Sequence, residues 1–175
     1  MKVIGLAGWS GAGKTTLLTR VLPTLIAQGL KVSTIQHAHH SFDMDAPGKD
    51  SWRHRDAGAS EVLVSSSKRF ALIHELRDEE EPRLAHLLTR LSAVDLVVIE
   101  GFKLEAHPKI EVCRHTNEKP FLHPNDPHIV GIVTDAPCAA NLPRAGLDDI
   151  PAVASMMRAL AIPLSDLLAR LTAEV

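Results

Sequence analysis

Residues 8–15 read Gly8-Trp9-Ser10-Gly11-Ala12-Gly13-Lys14-Thr15 and fill every fixed position of the pattern G-x-x-x-x-G-K-[ST]. Glycines let a backbone curl so that successive N–H groups point at one anion. The lysine of the pattern reaches the β- and γ-phosphates of a nucleotide, and the hydroxyl that follows it binds Mg²⁺. The segment therefore predicts a phosphate-binding loop, or P-loop, with a nucleoside triphosphate and Mg²⁺ as its ligands.

The segments on either side of the loop fit this prediction. Residues 2–7 form a short apolar run typical of a buried strand, and residues 15–22 carry apolar side chains at helical spacing. A strand, a glycine loop and a helix thus follow one another in the order that phosphate binding requires. The helix also brings the positive end of its dipole to the phosphates.

Composition predicts a soluble globular chain with a single domain, residues 1–175. Hydrophobic residues make up 45% of the sequence and charged residues 23%, and the formal net charge is −2. No Lys/Arg block of about five residues and no apolar run near about 18 residues occurs, so neither nucleic acid nor a membrane is expected as a partner. The first residues lead directly into a strand, and Cys113 and Cys138 form no C-x-x-C pair. We therefore expect a cytoplasmic protein with two free, buried or half-buried thiols.

Periodicity predicts strands that alternate with helices along the rest of the chain. Strands are expected over 31–37, 61–65, 69–74, 96–99, 109–114 and 128–133, and helices over about 15–28, 51–57, 84–91, 150–161 and 164–171. The fold class is therefore α/β: a P-loop NTPase-like, mostly parallel sheet covered by helices on both faces, with an antiparallel hairpin insertion. Ligands of such sheets bind at the carboxyl ends of the strands, which selects the loops after Ala7, Gln36, Ile99 and Val133.

Three local signals predict how individual helices begin or bend. Pro23 is expected to bend or break the first helix. Asp50 is expected to cap the short helix over 51–57. The acidic residues 78–81 are expected to complement the dipole of the helix that contains Leu84 and Leu91.

A second acid beside the P-loop would help to hold Mg²⁺, and two carboxylates flank the apolar strand 96–99. Asp95 and Glu100 are separated by five residues, or roughly 16 Å at about 3.3 Å per residue, so they lie at opposite ends of the sheet. Glu100 is at the carboxyl end and is predicted to be a catalytic, Walker-B-type acid that shares the metal with Thr15. The alternative is a carboxylate that bonds the turn at Gly101, while Asp95 is expected to serve a turn or a cap.

A polar loop after the second strand holds His37, His39, His40, Asp43 and Asp45. Imidazole and carboxylate groups together can bind a transition metal. Alternatively, Asp43 or Asp45 orders Mg²⁺ or the attacking water, which would make Asp45 a catalytic residue. The third reading is a solvated loop that packs over the nucleotide, and the sequence leaves all three open.

Two further positions are candidates for ligand contacts. Lys49, together with Arg53 and Arg55, could bind the phosphates of another ligand or a partner surface. Asp135 follows the last core strand, where a carboxylate can accept from the ring N–H and the amino group of guanine and so select GTP over ATP. The N-K-x-D element that usually makes this contact is absent from the sequence, which leaves the choice between GTP and ATP open.

Longer segments make the chain recognisable. They read H-A-H-H-S-F-D-M-D-A-P-G-K-D-S at 37–51, R-x-A-G-A at 55–59, D-L-V-V-I-E-G-F-K at 95–103 and P-K-I-E-V at 108–112. Together with the P-loop, they resemble the MobB family, the adaptor proteins of molybdopterin guanine dinucleotide biosynthesis, over residues 1 to about 135.

The resemblance implies a dimeric α/β protein that binds GTP, hydrolyses it weakly and works beside a MobA-type enzyme, which joins GMP to molybdopterin. Molybdopterin is then a candidate ligand as well. The match places P-loop residues on the phosphate and Mg²⁺ site, including Gly8, Ser10, Gly11, Ala12, Gly13, Lys14, Thr15 and Thr16. It places Glu100 on the acid after the Walker B strand. His39, His40, Asp43, Asp45, Lys49 and Asp50 fall on the family's signature loop.

Two other functions are open to a protein with this P-loop. A small-molecule kinase needs an arginine-bearing lid, and none is evident in the sequence. A metal-insertion GTPase would use the histidine loop. For the adaptor, we expect slow GTP hydrolysis at most, because the sequence reveals neither an arginine finger nor a water-orienting glutamine.

Overall fold

A computed structural model describes residues 1–38 and 42–173 of the chain. In chain order its elements are β1 (Lys2–Ala7), α1 (Lys14–Ala27), β2 (Val32–Gln36), α2 (Asp50–Asp56), β3 (Glu61–Ser65), β4 (Phe70–His74), α3 (Leu84–Thr89), β5 (Leu96–Glu100), β6 (Lys109–Cys113), a 3-10 turn (His115–Asn117), β7 (Ile129–Thr134), β8 (Arg144–Ala145), α4 (Ile150–Leu160), β9 (Ile162–Pro163) and α5 (Leu164–Ala173).

The chain divides into two compact units. The first comprises Met1–His37 together with the chain from Leu84 onward, and the second comprises Ala38–Arg83. The prediction of a single domain over residues 1–175 stays a prediction, because this division does not test whether either unit folds alone.

The first unit is built on a parallel sheet with the strand order β2-β5-β1-β6-β7-β8, and β9 adds an antiparallel pair to β1. Neighbouring side chains of a strand point to opposite faces. Accordingly, Ile4 packs in one apolar cluster with residues of α1 and α4, whereas Val3 packs in another with residues of α3 and α5. The predicted mostly parallel sheet, with helices on both faces, is confirmed.

The second unit contains α2 and the antiparallel hairpin β3–β4, in which Glu61 pairs with His74 and Ser65 pairs with Phe70. The predicted hairpin insertion is therefore confirmed. Arg55 of α2 organises this unit, because its guanidinium makes ion pairs with Asp43 at 2.9 Å and with Glu75 at 2.6 Å.

Helix α1 continues through Pro23, so no break occurs there, and the predicted bend stays a prediction; the buried face of the helix contributes Leu17, Val21 and Leu25 to the core. Two predictions about helix starts are corrected. Lys49, not Asp50, is the N-cap of α2. The first turn of α3 holds no acidic residue, since the helix begins at Leu84 after Pro82, and a proline disfavours helical geometry in the residue before it.

The short strands β8 and β9 escaped prediction because two residues carry no periodicity. Cys113 is buried, Cys138 is half-buried and both are free thiols, as expected. Across residues 1–38 and 42–173, no helix is both long and apolar enough to cross a membrane.

Strand β6 alternates polar and apolar residues but is buried on both faces. The Lys109 ammonium donates to the Lys103 carbonyl at 2.7 Å and to Asp126 Oδ2 at 2.8 Å. The Glu111 carboxylate accepts the backbone N–H groups of Leu122 at 2.5 Å and His123 at 3.0 Å. These bonds satisfy two buried charges and fasten the segment around 122–126 to the sheet.

Candidate nucleotide-binding site

The parallel sheet brings the P-loop and the second acid to the same edge. The loop occupies residues 8–13, between the end of β1 and the start of α1. Strand β5 lies beside β1, with Leu6 in register with Glu100. Because carboxyl ends of parallel strands share one edge, Glu100 emerges next to the loop.

Two glycines of the loop are required by its geometry. Gly8 has φ 147°, and a Cβ there would lie 2.4 Å from the carbonyl oxygen of Val112 on β6. Gly13 has φ 88°, in the left-handed region that side chains disfavour. The loop therefore passes close to β6 and enters α1 by a path that only glycine adopts without strain.

Lys14 is folded back over the loop. Its Nζ donates to the carbonyl oxygens of Gly8 at 3.0 Å and Trp9 at 3.1 Å. Burial lowers the pKa of the Lys14 ammonium, against the attraction of Glu100, which raises it. A cation that has lost part of its water and donates to neutral carbonyls is suited to receive an anion.

Thr15 and Glu100 form the other half of the site. The Thr15 hydroxyl donates to Glu100 Oε1 at 2.6 Å. A pocket of about 380 Å³ opens here, and its lining residues are Ser10, Gly11, Gly13, Lys14, Thr15, Thr16 and Glu100. Hydroxyl and carboxylate oxygens are ligands that Mg²⁺ prefers, so the residues present fit this ion. The structure thus brings together most of the predicted phosphate and metal residues.

The remaining acids have protein partners. Asp95 accepts the Lys31 N–H at 2.8 Å, at the opposite end of β5 from Glu100. Asp135 Oδ1 accepts the His115 N–H at 2.6 Å and so holds the 3-10 turn after β6. The preference for GTP through Asp135 stays a prediction.

The signature-loop residues lie mainly in the second unit. Asp43 pairs with Arg55, and its pKa is lowered by the Asp45 N–H and by that pairing. Asp45 accepts the Ser51 hydroxyl at 2.8 Å. Lys49 is exposed at the start of α2. His39 and His40 lie outside the described residues, so their predicted roles are not tested.

The first histidine of the loop has a packing role in the first unit. The His37 ring stacks on Phe102 with 4.7 Å between ring centroids. A Cβ on Gly101 would lie 2.6 Å from the His37 Cβ, so the turn after Glu100 needs glycine there. Within the residues that the structure describes, no group of three or more His, Cys, Asp or Glu side chains is arranged to hold a metal ion.

Three contacts beside the P-loop were not predicted. The Asn117 side chain donates to the Ser10 carbonyl at 3.2 Å, and the Arg114 guanidinium lies against Gly13. Trp9 Nε1 donates to the Pro120 carbonyl at 2.8 Å. These contacts arise because β6 pairs with β1, which brings the residues after β6 to the P-loop. The sequence gives no signal for them, because strand order cannot be read from a single sequence.

Comparison with known proteins places this geometry in a family. Residues 3–135 match the model of the family MobB, described as molybdopterin guanine dinucleotide synthesis protein B. The chain belongs to the MobB family. A relative from Escherichia coli strain K12, named molybdopterin-guanine dinucleotide biosynthesis adapter protein, is 38% identical over 158 residues, 89% of this chain and 90% of the relative. A protein of the same name from Haemophilus influenzae is 37% identical and covers 89% of this chain and 86% of its own length.

Solved MobB structures share the fold. A crystal structure of molybdopterin-guanine biosynthesis protein B matches with a TM-score of 0.71 and 27% identity, over 90% of this chain and 99% of that one. The structure of Bacillus subtilis MobB matches with a TM-score of 0.70 over 93% of this chain and 99% of its own; at 23% identity it supports the fold alone.

Proposed function

We propose that this MobB-family chain is an adapter of molybdopterin guanine dinucleotide biosynthesis that binds GTP with Mg²⁺ at its P-loop and hydrolyses it slowly. The observation that carries the proposal is the contact of Thr15 Oγ1 with Glu100 Oε1 at 2.6 Å, in the pocket that also holds Lys14. A metal-binding hydroxyl, a carboxylate and a desolvated ammonium around a glycine loop are the groups that a nucleoside triphosphate with Mg²⁺ requires.

Each group has a separate part in binding. The N–H groups of residues 11–16 and the Lys14 ammonium would hold the phosphates, while Thr15 and Glu100 would hold Mg²⁺. When bound, the ion would neutralise charge on the phosphate oxygens. Asp135 remains the candidate for the guanine ring, and Asp43, Asp45, Lys49 and the histidines remain candidates for contacts at the signature loop.

The adapter role implies a partner enzyme. Because the relatives are named adapter proteins of this biosynthesis, we propose that the chain assists a MobA-type guanylyltransferase and that molybdopterin is a further ligand. The test is guanylylation of molybdopterin by the MobA-type enzyme with GTP and Mg²⁺, with and without this protein. Faster or more complete formation of the dinucleotide supports the proposal. If that assay shows no change and the protein phosphorylates a small acceptor at kinase-level rates, the adapter function is wrong and the protein is a kinase.

Glu100→Gln tests the metal part of the site. The substitution keeps the shape of the side chain and removes its charge, so we expect the Mg²⁺ concentration needed for GTP binding to rise by about 10- to 100-fold. The measurement is a Mg²⁺ titration at fixed GTP with a fluorescent analogue. Glu105→Gln, in the loop that follows β5, is the matched control. An unchanged Mg²⁺ requirement in Glu100→Gln would contradict the assignment.

We also propose that the chain is a homodimer, with the hairpin as the contact surface. Leu63 pairs with Leu72 and Ser65 with Phe70, so three apolar side chains share one face of β3–β4. Leu63 is 62% exposed, Phe70 71% and Leu72 48%. An isolated two-stranded sheet is only marginally stable, and an apolar face of this kind marks a protein contact.

Phe70→Asp is expected to convert the dimer to a monomer, because it places a charge in the apolar contact. Sedimentation velocity over a concentration series measures the change. Leu104→Asp, at a fully exposed leucine of the first unit, controls for the added charge. A monomeric unsubstituted protein, or a Phe70→Asp protein that remains dimeric, would refute the assignment of this face.

A further inference from the structure

Arg114 lies against the phosphate-binding loop. It follows β6 directly, and β6 pairs with β1, the strand that leads into the loop. Its Nη2 is 3.3 Å and its Nε 3.7 Å from the position that a Cβ would occupy on Gly13. Because Gly13 has no side chain, the Arg114 guanidinium can lie against it, next to Lys14.

A short hydrogen-bonded turn follows this arginine directly. This 3-10 turn spans His115–Asn117, and the Asn117 N–H donates to the Arg114 carbonyl at 3.0 Å. The turn is fixed at both ends, because Asp135 holds the His115 N–H and the Asn117 side chain donates to Ser10 in the P-loop. The same contacts that shape the turn therefore fix Arg114 relative to the loop.

The charge of Arg114 is not balanced by an ion pair within residues 1–38 and 42–173. The other half-buried arginine of note, Arg55, pairs with Asp43, Asp45 and Glu75. By contrast, no carboxylate of the described residues makes a salt bridge with Arg114, and the residue is neither fully buried nor fully exposed. A guanidinium held beside the P-loop without an ionic partner among these residues can pair with an anion that enters the site.

We propose that Arg114 is a second cation of the P-loop site and binds the polyphosphate beside Lys14. The inference rests on the proposed function, since it assumes that a triphosphate binds at this loop. A guanidinium presents a planar fork of N–H donors that matches phosphate oxygens, whereas the ammonium of Lys14 acts as a point charge. The two cations thus bind one chain of phosphates by different geometries.

The test measures binding of GTP and of inorganic tripolyphosphate, both with Mg²⁺, by calorimetry. Arg114→Ala is expected to weaken both ligands by about 10- to 100-fold, as for loss of a hydrogen bond to a charged group. Arg114→Lys keeps the charge without the planar fork of donors, so its affinity for each ligand should lie between that of Arg114→Ala and that of the unsubstituted protein. Arg170→Ala, which removes the same charge from the exposed face of α5, should bind like the unsubstituted protein.

Free guanidinium distinguishes a phosphate contact from a packing role. Added to Arg114→Ala at concentrations far below those that unfold proteins, it should restore part of the GTP affinity and leave Lys14→Ala unchanged. Equal affinity of Arg114→Ala and the unsubstituted protein overturns the inference but not the proposed function. Equal losses in Arg114→Ala and Arg114→Lys without guanidinium rescue also overturn it. If the unsubstituted protein binds neither ligand, the proposed function fails and the inference fails with it.

Discussion

Lys14→Ala is expected to weaken binding of GTP by about 100-fold, equivalent to about 3 kcal/mol for a hydrogen bond between charged groups. Within residues 1–38 and 42–173, Lys14 forms no ion pair at hydrogen-bond distance, and its Nζ donates to the carbonyl oxygens of Gly8 and Trp9. The substitution removes the ammonium that burial has already stripped of part of its water. Calorimetric titration with GTP and Mg²⁺ measures the loss.

The fold should survive this change. The lysine lies at the first position of α1, whereas the core contacts of that helix come from Leu17, Val21 and Leu25. The melting temperature should therefore change little. Lys31→Ala is the matched control, because Lys31 is exposed just before β2, at the amino end of the parallel sheet. Unaltered GTP affinity in a folded Lys14→Ala protein would show that the nucleotide binds elsewhere.

The second large effect is a loss of stability in acid that originates at His107. This imidazole is fully buried, and its Nδ1 donates to the Glu105 carbonyl at 3.1 Å, so Nε2 is the unprotonated nitrogen. Nε2 faces Gly5 of β1, where a Cβ would lie 2.4 Å away. Burial, reinforced by the nearby Lys109 ammonium, lowers the pKa of His107 from 6.5 to about 4.

The direction of the pH effect follows from this lowered pKa. In the unfolded chain His107 gains a proton near pH 6.5, whereas in the folded protein it stays neutral until about pH 4. Protons therefore favour the unfolded state within this window. The free energy of unfolding is expected to fall by about 3 kcal/mol as the pH drops from about 6.5 to about 4, and His107 adds no further loss below that.

His107→Asn isolates this contribution. Asparagine is neutral throughout the window, so urea unfolding of the variant should depend less on pH than that of the unsubstituted protein by about 3 kcal/mol between the two ends. The comparison uses differences with pH, which makes it insensitive to the packing cost of the substitution. His54→Asn, at an exposed position of α2, should leave the slope unchanged. If the free energy of unfolding depends on pH equally in His107→Asn and in the unsubstituted protein, His107 is not the source of the acid destabilisation.

The sequence was sufficient for the parts of the site that depend on neighbouring residues or strand ends. The P-loop is a continuous motif, and Glu100 could be separated from Asp95 because a strand places its two ends far apart. The hairpin and the buried strand β5 were predicted for similar reasons, since each is one uninterrupted pattern. These features need no knowledge of strand order.

Features that depend on strand order or on long-range pairing were not predictable. Arg114 and Asn117 reach the P-loop because β6 lies beside β1. In the sequence, Lys109 and Glu111 form the polar face of an alternating strand. In the structure both are buried, and bonds to residues 103, 122, 123 and 126 satisfy their charges. In the second unit, Asp43 and Asp45 form ion pairs with Arg55. The composition of their loop does not predict this pairing, because it depends on how the loop packs against α2.

The most direct test of the account is a crystal structure of the protein with a non-hydrolysable GTP analogue and Mn²⁺, whose anomalous scattering marks the metal. The account predicts density for the phosphates over residues 11–16, with an anomalous peak beside Thr15 and Glu100. Nucleotide bound away from the P-loop, or a P-loop that holds no phosphate at saturating analogue, would contradict it.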